Sequence, residues 1–247
     1  MDKWKYYGIS HRDHDIMNPS SLEKLDQVIR LLRLPDGASV VDIGCGKAEP
    51  LARIAEAYNI QGSGVDLSPY SIADARKRVA QLQNPASRLE LLHMDGAEYQ
   101  PAEPLDLAIC LGASWIYGGY AGTLARLASW VKPRGLVLTG EPYWRAEPPT
   151  EYLEASNTPR ELFATHRGNV ELAKATGLIP LYTVDSSLED WDRYVWLQTQ
   201  AIERYALEQP DDPDVPDLLA RSRKDQDLYL RWERDYLGWC IYLYLKP

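Results

Sequence analysis

Val40-Val-Asp-Ile-Gly-Cys-Gly-Lys-Ala-Glu-Pro50 is the stretch whose reading decides the fold. Val40, Val41 and Ile43 make a β-branched run suited to a buried parallel strand, and Gly44 and Gly46 then turn the chain into a helical pattern beginning at Pro50. Glycines here let backbone come against a ligand. A dinucleotide loop would read G-x-G-x-x-G, yet the position three after Gly46 is Glu49, a carboxylate where two phosphates would lie. The loop speaks against a pyrophosphate ligand.

Downstream spacing extends the pattern. The run Gly62-Ser-Gly-Val-Asp66 ends in an acid that can accept hydrogen bonds from both hydroxyls of a ribose laid across the strand ends. Leu89–Asp95 and Leu105–Gly112 give a third and a fourth strand, Leu136–Glu141 a fifth, Ile179–Val184 a sixth and Trp239–Leu245 a seventh. Helical periodicity fills the intervals: a capping-box pattern at Ser20-Ser-Leu-Glu23 opens one helix, and Ser68-Pro69 caps and starts another. Residues 146–176 read as helical and polar, and Ser187-x-x-Asp190 opens a long helix followed by a proline-rich loop and a further helix, so that 188–235 is a helical insertion before the last strand.

Asp42-x-Gly44-x-Gly46-x-Ala48, with Asp66 and Asp95 at successive strand ends, resembles the glycine-loop and acid pattern of class I S-adenosylmethionine-dependent methyltransferases. The resemblance covers residues 20–145 well. Ala48 departs from it, since the family often has a third glycine there. It implies an α/β fold: a Rossmann-like seven-stranded sheet with strand 7 antiparallel beside strand 5 and helices on both faces. It also implies S-adenosylmethionine as cofactor, held by Asp42, Gly44, Gly46, Asp66, Leu67, Asp95, Gly96 and Leu111. Met17-Asn18-Pro19, Ala113–Gly119 and Gly140–Arg145 look like a bacterial, small-molecule branch of the family. The activity so implied is methyl transfer to O, N or S of a small molecule. Two other readings stay open: a nucleotide-dependent (NAD-type) oxidoreductase on the same sheet, and a non-catalytic S-adenosylmethionine-binding module.

Composition narrows the partners. The 247 residues suit one domain spanning 1–247, and 45% hydrophobic with 26% charged residues is ordinary for a soluble globular chain. A net charge of −9 lacks the basic face that nucleic acid requires. Arg76-Lys77-Arg78 reads as a solvated helix face. Cys45, Cys110 and Cys240 lie far apart, which suggests neither disulfides nor zinc and fits a reducing cytoplasm. The first residues lack a signal-peptide core, and no apolar run is long enough to span a membrane.

Residues 1–19 carry no periodicity but hold Tyr6, Tyr7, His11 and His14, which suits a lid folding over a ligand. His11-x-x-His14 needs a third ligand from elsewhere, so no metal site is expected. His14 is the candidate catalytic base because imidazole titrates near neutral pH. The loops after strands 4 and 5 flank the ligand crevice of a doubly wound sheet. That reasoning makes Trp115, Tyr117, Tyr143, Trp144 and Arg145 the expected acceptor wall, with aromatic faces for apolar or cationic groups and Arg145 for an anionic one.

Overall fold

The computed structural model describes residues 2–247. Seven strands form one sheet: β1 (Ala38–Ile43), β2 (Ile60–Asp66), β3 (Arg88–His93), β4 (Leu105–Leu111), β5 (Val131–Trp144), β6 (Ile179–Asp185) and β7 (Leu237–Leu245), in the spatial order β3-β2-β1-β4-β5-β7-β6. Strands β1 to β5 pair in parallel, whereas β7 runs antiparallel between β5 and β6. The expected Rossmann-like sheet with an antiparallel seventh strand is what the chain forms. Between β1 and β4 the strand order reverses, and that switch point opens a crevice beyond the strand ends.

Helices cover both faces. They are α1 (Lys3–Ser10), α2 (Leu22–Ile29), α3 (Glu49–Ala57), α4 (Pro69–Val79), α5 (Tyr120–Trp130), α6 (Thr150–Ser156), α7 (His166–Ala175), α8 (Leu188–Glu208), α9 (Val215–Leu228) and α10 (Arg234–Tyr236). Leu25, Val28, Leu51, Ile54 and Ile72 of α2, α3 and α4 pack with Val40, Leu107 and Ile109 on one side of the sheet. Leu124, Leu127 and Trp130 of α5 and Ala173 of α7 pack with Val41, Ile43 and Val137 on the other. Burial on both sides explains the β-branched Val40, Val41 and Ile43 of β1.

Local chemistry fixes the helix starts. Ser68 Oγ accepts from Ser71 N at 3.2 Å, and at the head of α8 Ser187 and Asp190 cap each other reciprocally. The cap of α2 is Ser21, one residue later than the sequence pattern suggests, with its Oγ accepting from Lys24 N at 3.2 Å.

Two elements differ from their sequence expectation. Residues 3–10 are a helix, capped by Asp2, although no period marks them. Tyr6 and Ser10 are buried in it, and Tyr6 packs with Ile202 of α8 and Leu218 of α9, so tertiary contact rather than an amphipathic stripe stabilises the helix. Strand β5 is also far longer than Leu136–Glu141, because β7 continues to pair with it through Tyr143↔Gly238 and Trp144↔Leu237.

Trp239 of β7 lies against β5 and the end of β4. A Cβ on Gly140 would come 2.5 Å from the Trp239 ring, and one on Gly112 would come 2.8 Å from it. Gly140→Ala should therefore destabilise the protein by about 1–3 kcal/mol, the usual cost of overpacking a core. Trp239→Phe in the same chain should restore part of the loss, as read by denaturant midpoints of the two variants.

Candidate functional site

A cleft of about 490 Å³ lies beyond the strand ends at the switch point. Its floor is the β1–α3 loop. Gly46 N donates to Asp66 Oδ2 at 2.9 Å and Ser68 N to Asp66 Oδ1 at 2.8 Å, so the acid ending β2 braces the glycine loop. Gly46 has φ +55, and a Cβ there would come 2.8 Å from Met17 Sδ. Ala48, fully buried, holds φ 59 in the left-handed region, which shows why glycine is the easier residue at this position.

The lining carries the carboxylates of Asp15, Asp42, Glu49 and Asp66 beside the ammonium groups of Lys3 and Lys47. Asp42 is buried, its Oδ2 has no hydrogen-bond partner among the described residues, and burial together with the nearby Asp66 charge pushes its pKa up to about 8. Asp66 is also raised, chiefly by desolvation and against the pull of its two N–H donors. Glu49 is buried at the cleft wall and ion-paired with Arg53 Nε at 2.6 Å and with Arg78. Arg78 is thus drawn inward rather than lying on a wholly solvated face. Behind the cleft wall, burial lifts Glu141 to about 8, with Ser114 Oγ donating to its Oε1 at 3.0 Å.

The cation nearest this loop is already engaged. Lys47 Nζ donates to the carbonyls of His11 at 2.7 Å, Arg12 at 3.0 Å and His14 at 3.0 Å, tying the N-terminal segment to the glycine loop. Tyr194 of α8 ties the same segment from the other side. Its hydroxyl donates to His11 Nε2 at 3.0 Å, because His11 Nδ1 faces the Tyr7 carbonyl, and its own carbonyl accepts from His14 Nε2 at 3.0 Å. Burial lowers the pKa of both histidines, His11 to about 3, so both are neutral imidazoles at neutral pH. Lys5 completes the docking through Asp212 at 2.8 Å and Asp214 at 2.6 Å.

Of the cofactor residues expected from sequence, Asp42, Gly44, Gly46, Asp66 and Leu111 line this cleft. Leu67, Asp95 and Gly96 lie outside its lining. Asp95 caps a short 3-10 turn, with Ala97 N donating to its Oδ1 at 2.9 Å, and Gly96 O accepts from Tyr117 OH at 2.9 Å. His14 faces a smaller neighbouring cavity instead, and it is His11 that reaches the cleft.

The expected acceptor wall is dispersed. Trp115 alone of its five residues lines the cleft, where it is 60% exposed. Tyr117 packs edge-on against Trp130. Tyr143 donates to Asp185 Oδ1 at 2.7 Å, Trp144 Nε1 donates to Arg160 O at 2.9 Å, and Arg145 donates to Ser186 O at 2.9 Å. These last three lie outside the cleft lining because β5 outruns the crevice and delivers them into the packing around β7, α6 and the chain near Arg160. The aromatic lining comes from Trp4, Tyr7, His11 and Tyr194 instead. Sequence reading missed Tyr194 and Lys47. Nothing in the spacing of α8 singles out one tyrosine, but a lysine inside a glycine loop was a usable signal. Among the described residues no group of three His, Cys, Asp or Glu side chains is placed to hold a metal ion, and no helix is long and apolar enough to cross a membrane.

A switch-point cleft on this sheet, with a glycine loop braced by the acid ending β2, defines a class I methyltransferase architecture. Residues 40–135 match the family model of a methyltransferase domain. The chain is 31% identical to a SAM-dependent methyltransferase from Geobacter sulfurreducens solved with S-adenosyl-L-homocysteine, with 98% of each chain covered and a TM-score of 0.91. It is 34% identical over 246 residues to the uncharacterised Escherichia coli protein YjhP, covering 98% of both. A more partial match, 31% identical over 120 residues, links it to cyclopropane mycolic acid synthase 3 of Mycobacterium tuberculosis, with 48% of this chain and 41% of that one covered. The chain belongs to the S-adenosylmethionine-dependent methyltransferases.

The raised pKa of Asp42 has a stability consequence. Between its ordinary value of 3.8 and about 8 the folded chain holds a proton that the unfolded chain has lost, so this group makes stability fall as pH rises through that window. Asp42→Asn should leave the melting temperature of the ligand-free protein unchanged near pH 4 and raise it by several degrees near pH 8, measured by calorimetry.

Proposed function

We propose that this enzyme transfers a methyl group from S-adenosylmethionine to O, N or S of a small molecule held between the glycine loop and the N-terminal segment. The observation that carries the reading is the cleft itself: about 490 Å³, within the usual ~300–1,000 Å³ of small-ligand pockets, and lined by Asp42, Glu49 and Asp66 while Lys47 is spent on backbone carbonyls. Glu49 stands where a dinucleotide loop would place its phosphates and Lys47 is turned away, which counts against the NAD reading.

Asp66 would accept from the ribose hydroxyls, the Gly44–Gly46 backbone would lie along the amino-acid portion, and Asp42 would answer a positive group there. Leu67, Asp95 and Gly96 would flank the adenine, a role that rests on the family resemblance. The cofactor supplies an electrophilic methyl carbon, to which an acceptor lone pair bonds as the C–S electron pair returns to sulfur. The protein's part is alignment and exclusion of water, for which Trp115, Tyr7 and Tyr194 form the acceptor side of the cleft. Neutral His11 and His14 are weak bases, which favours positioning over proton abstraction as the source of rate. The segment 1–19 acts as the lid, and Lys47 is its latch.

Two outcomes test this. Asp66→Ala should weaken S-adenosylhomocysteine binding by about 10–100-fold, from loss of charge-assisted hydrogen bonds worth roughly 1.5–3 kcal/mol, while NAD stays unbound; tighter NAD than S-adenosylhomocysteine binding in calorimetry overturns the reading. Lys47→Met should speed amide exchange across residues 3–18 by at least tenfold with the sheet unaffected, and equal exchange rates in the two proteins would remove the latch. Turnover of a methyl-labelled cofactor with a metabolite extract identifies the acceptor.

A further inference from the structure

Four acids are buried among the described residues: Asp42, Glu49, Glu141 and Asp190. Glu49 is ion-paired with Arg53 and Arg78, Asp190 with Lys24 and Arg193, and Asp42 lines the cleft. Glu141, in β5 and 3% exposed, has neither an ion-pair partner among the described residues nor a place in the cleft lining. Its Oε1 accepts from Ser114 Oγ at 3.0 Å, its Oε2 has no hydrogen-bond partner among the described residues, and burial pushes its pKa up. A buried carboxyl left half satisfied costs stability, and an apolar side chain of similar size would fill this place at less cost.

Its partner sits at a junction. Ser114 opens a short 3-10 turn, Ser114–Tyr117, that follows β4. The turn meets two of the residues expected at the cofactor. A Cβ on Gly44 of the glycine loop would come 2.5 Å from Ala113 Cβ and 3.6 Å from Ile116 Cδ1, and one on Gly96 would come 3.3 Å from Ile116 Cδ1. The Gly96 carbonyl also accepts from Tyr117 OH at 2.9 Å, and Trp115, within the same turn, lines the cleft. These few residues therefore set how the glycine loop, the chain after β3 and Trp115 lie relative to one another. Toward α5 the turn is tied at the Ser114 carbonyl, which accepts from Gly119 N at 3.0 Å and from Thr123 Oγ1 at 3.2 Å. Toward β5 its side-chain tie is the Glu141 carboxyl.

We propose that Glu141 is a positioning residue for the cofactor: through Ser114 it holds the 113–117 turn against Gly44 and Gly96, and so sets cofactor affinity and the stance of Trp115. The proposal rests on the methyltransferase reading above and adds to it a residue that lies outside the cleft. The half-satisfied carboxyl is then retained for binding although it costs stability, so the two properties separate on substitution. Replacing both partners of the bond by apolar groups removes the unpaired oxygen together with the tie. Stability is recovered there while the turn stays loose. A carboxyl that served folding alone would lose or keep stability and binding together.

The test measures S-adenosylhomocysteine affinity by titration calorimetry and melting temperature by scanning calorimetry on the full chain. The proteins are the wild type, Glu141→Gln, Ser114→Ala, and the double variant Ser114→Ala with Glu141→Leu. Glutamine keeps an acceptor oxygen for Ser114, so Glu141→Gln should bind within about twofold of the wild type. Ser114→Ala and the double variant should each bind about 5–10-fold more weakly, by nearly equal amounts because both break the one bond. The double variant should nevertheless melt no lower than the wild type. Wild-type affinity in Ser114→Ala or in the double variant, a loss in Glu141→Gln equal to that in Ser114→Ala, or affinity that falls only in step with melting temperature overturns the proposal. If the double variant does not fold, Ser114→Ala, which removes one hydroxyl from a half-buried residue, decides by the same affinity criterion. A wild type that does not bind S-adenosylhomocysteine sinks the methyltransferase reading, whereas wild-type binding with unaltered variants sinks this inference alone.

Discussion

One ammonium group holds the site together. Lys47, projecting from the glycine loop, is surrounded by three carbonyls of the segment that follows α1, and those contacts join the strand-to-helix turn to the N-terminal segment. Together with Tyr194 and Lys5 they seat that segment over the cleft. With them it has a roof carrying Trp4, Tyr7 and His11, and the lysine charge is withdrawn from the ligand. Partial burial lowers the Lys47 pKa, against the pull of the nearby Asp74 and Asp15 charges.

Withdrawal of that charge decides the electrostatic character of everything above the loop. Asp42, Glu49 and Asp66 would be neutralised by a free lysine; as arranged, two of them are instead desolvated and raised, and Glu49 is balanced by Arg53 and Arg78 from behind. Desolvated acids thus face the cleft, while Glu49 is compensated from the solvent side.

How much of this could be read from residues alone follows from how local each cause is. The glycine loop, Asp66 and the strand order were legible because a strand, a tight turn and a helix N-terminus leave marks within a dozen residues. Ser21 rather than Ser20 as cap is an error of one position between two adjacent serines. The acceptor wall was illegible for a different reason. Whether Tyr143, Trp144 and Arg145 stop at the crevice or travel past it depends on how far β7 pairs with β5, and that register is set by residues a hundred positions away. Helix α1 was hidden because its burial depends on α8 and α9, and Tyr194 because only docking of the N-terminal segment makes it a hub.

The docking of α1 also imposes an order on assembly. Lys5 is separated from Asp212 by 207 residues and Tyr6 from Asp225 by 219, so the roof's anchors are among the last parts of the chain to be made although the roof is among the first. At the usual ~5–20 residues per second, synthesis leaves the N-terminal segment without these C-terminal partners for roughly 10–40 s. The glycine loop and β1 to β4 exist well before that interval ends. The residues of the cofactor floor are therefore made long before the C-terminal anchors of its cover.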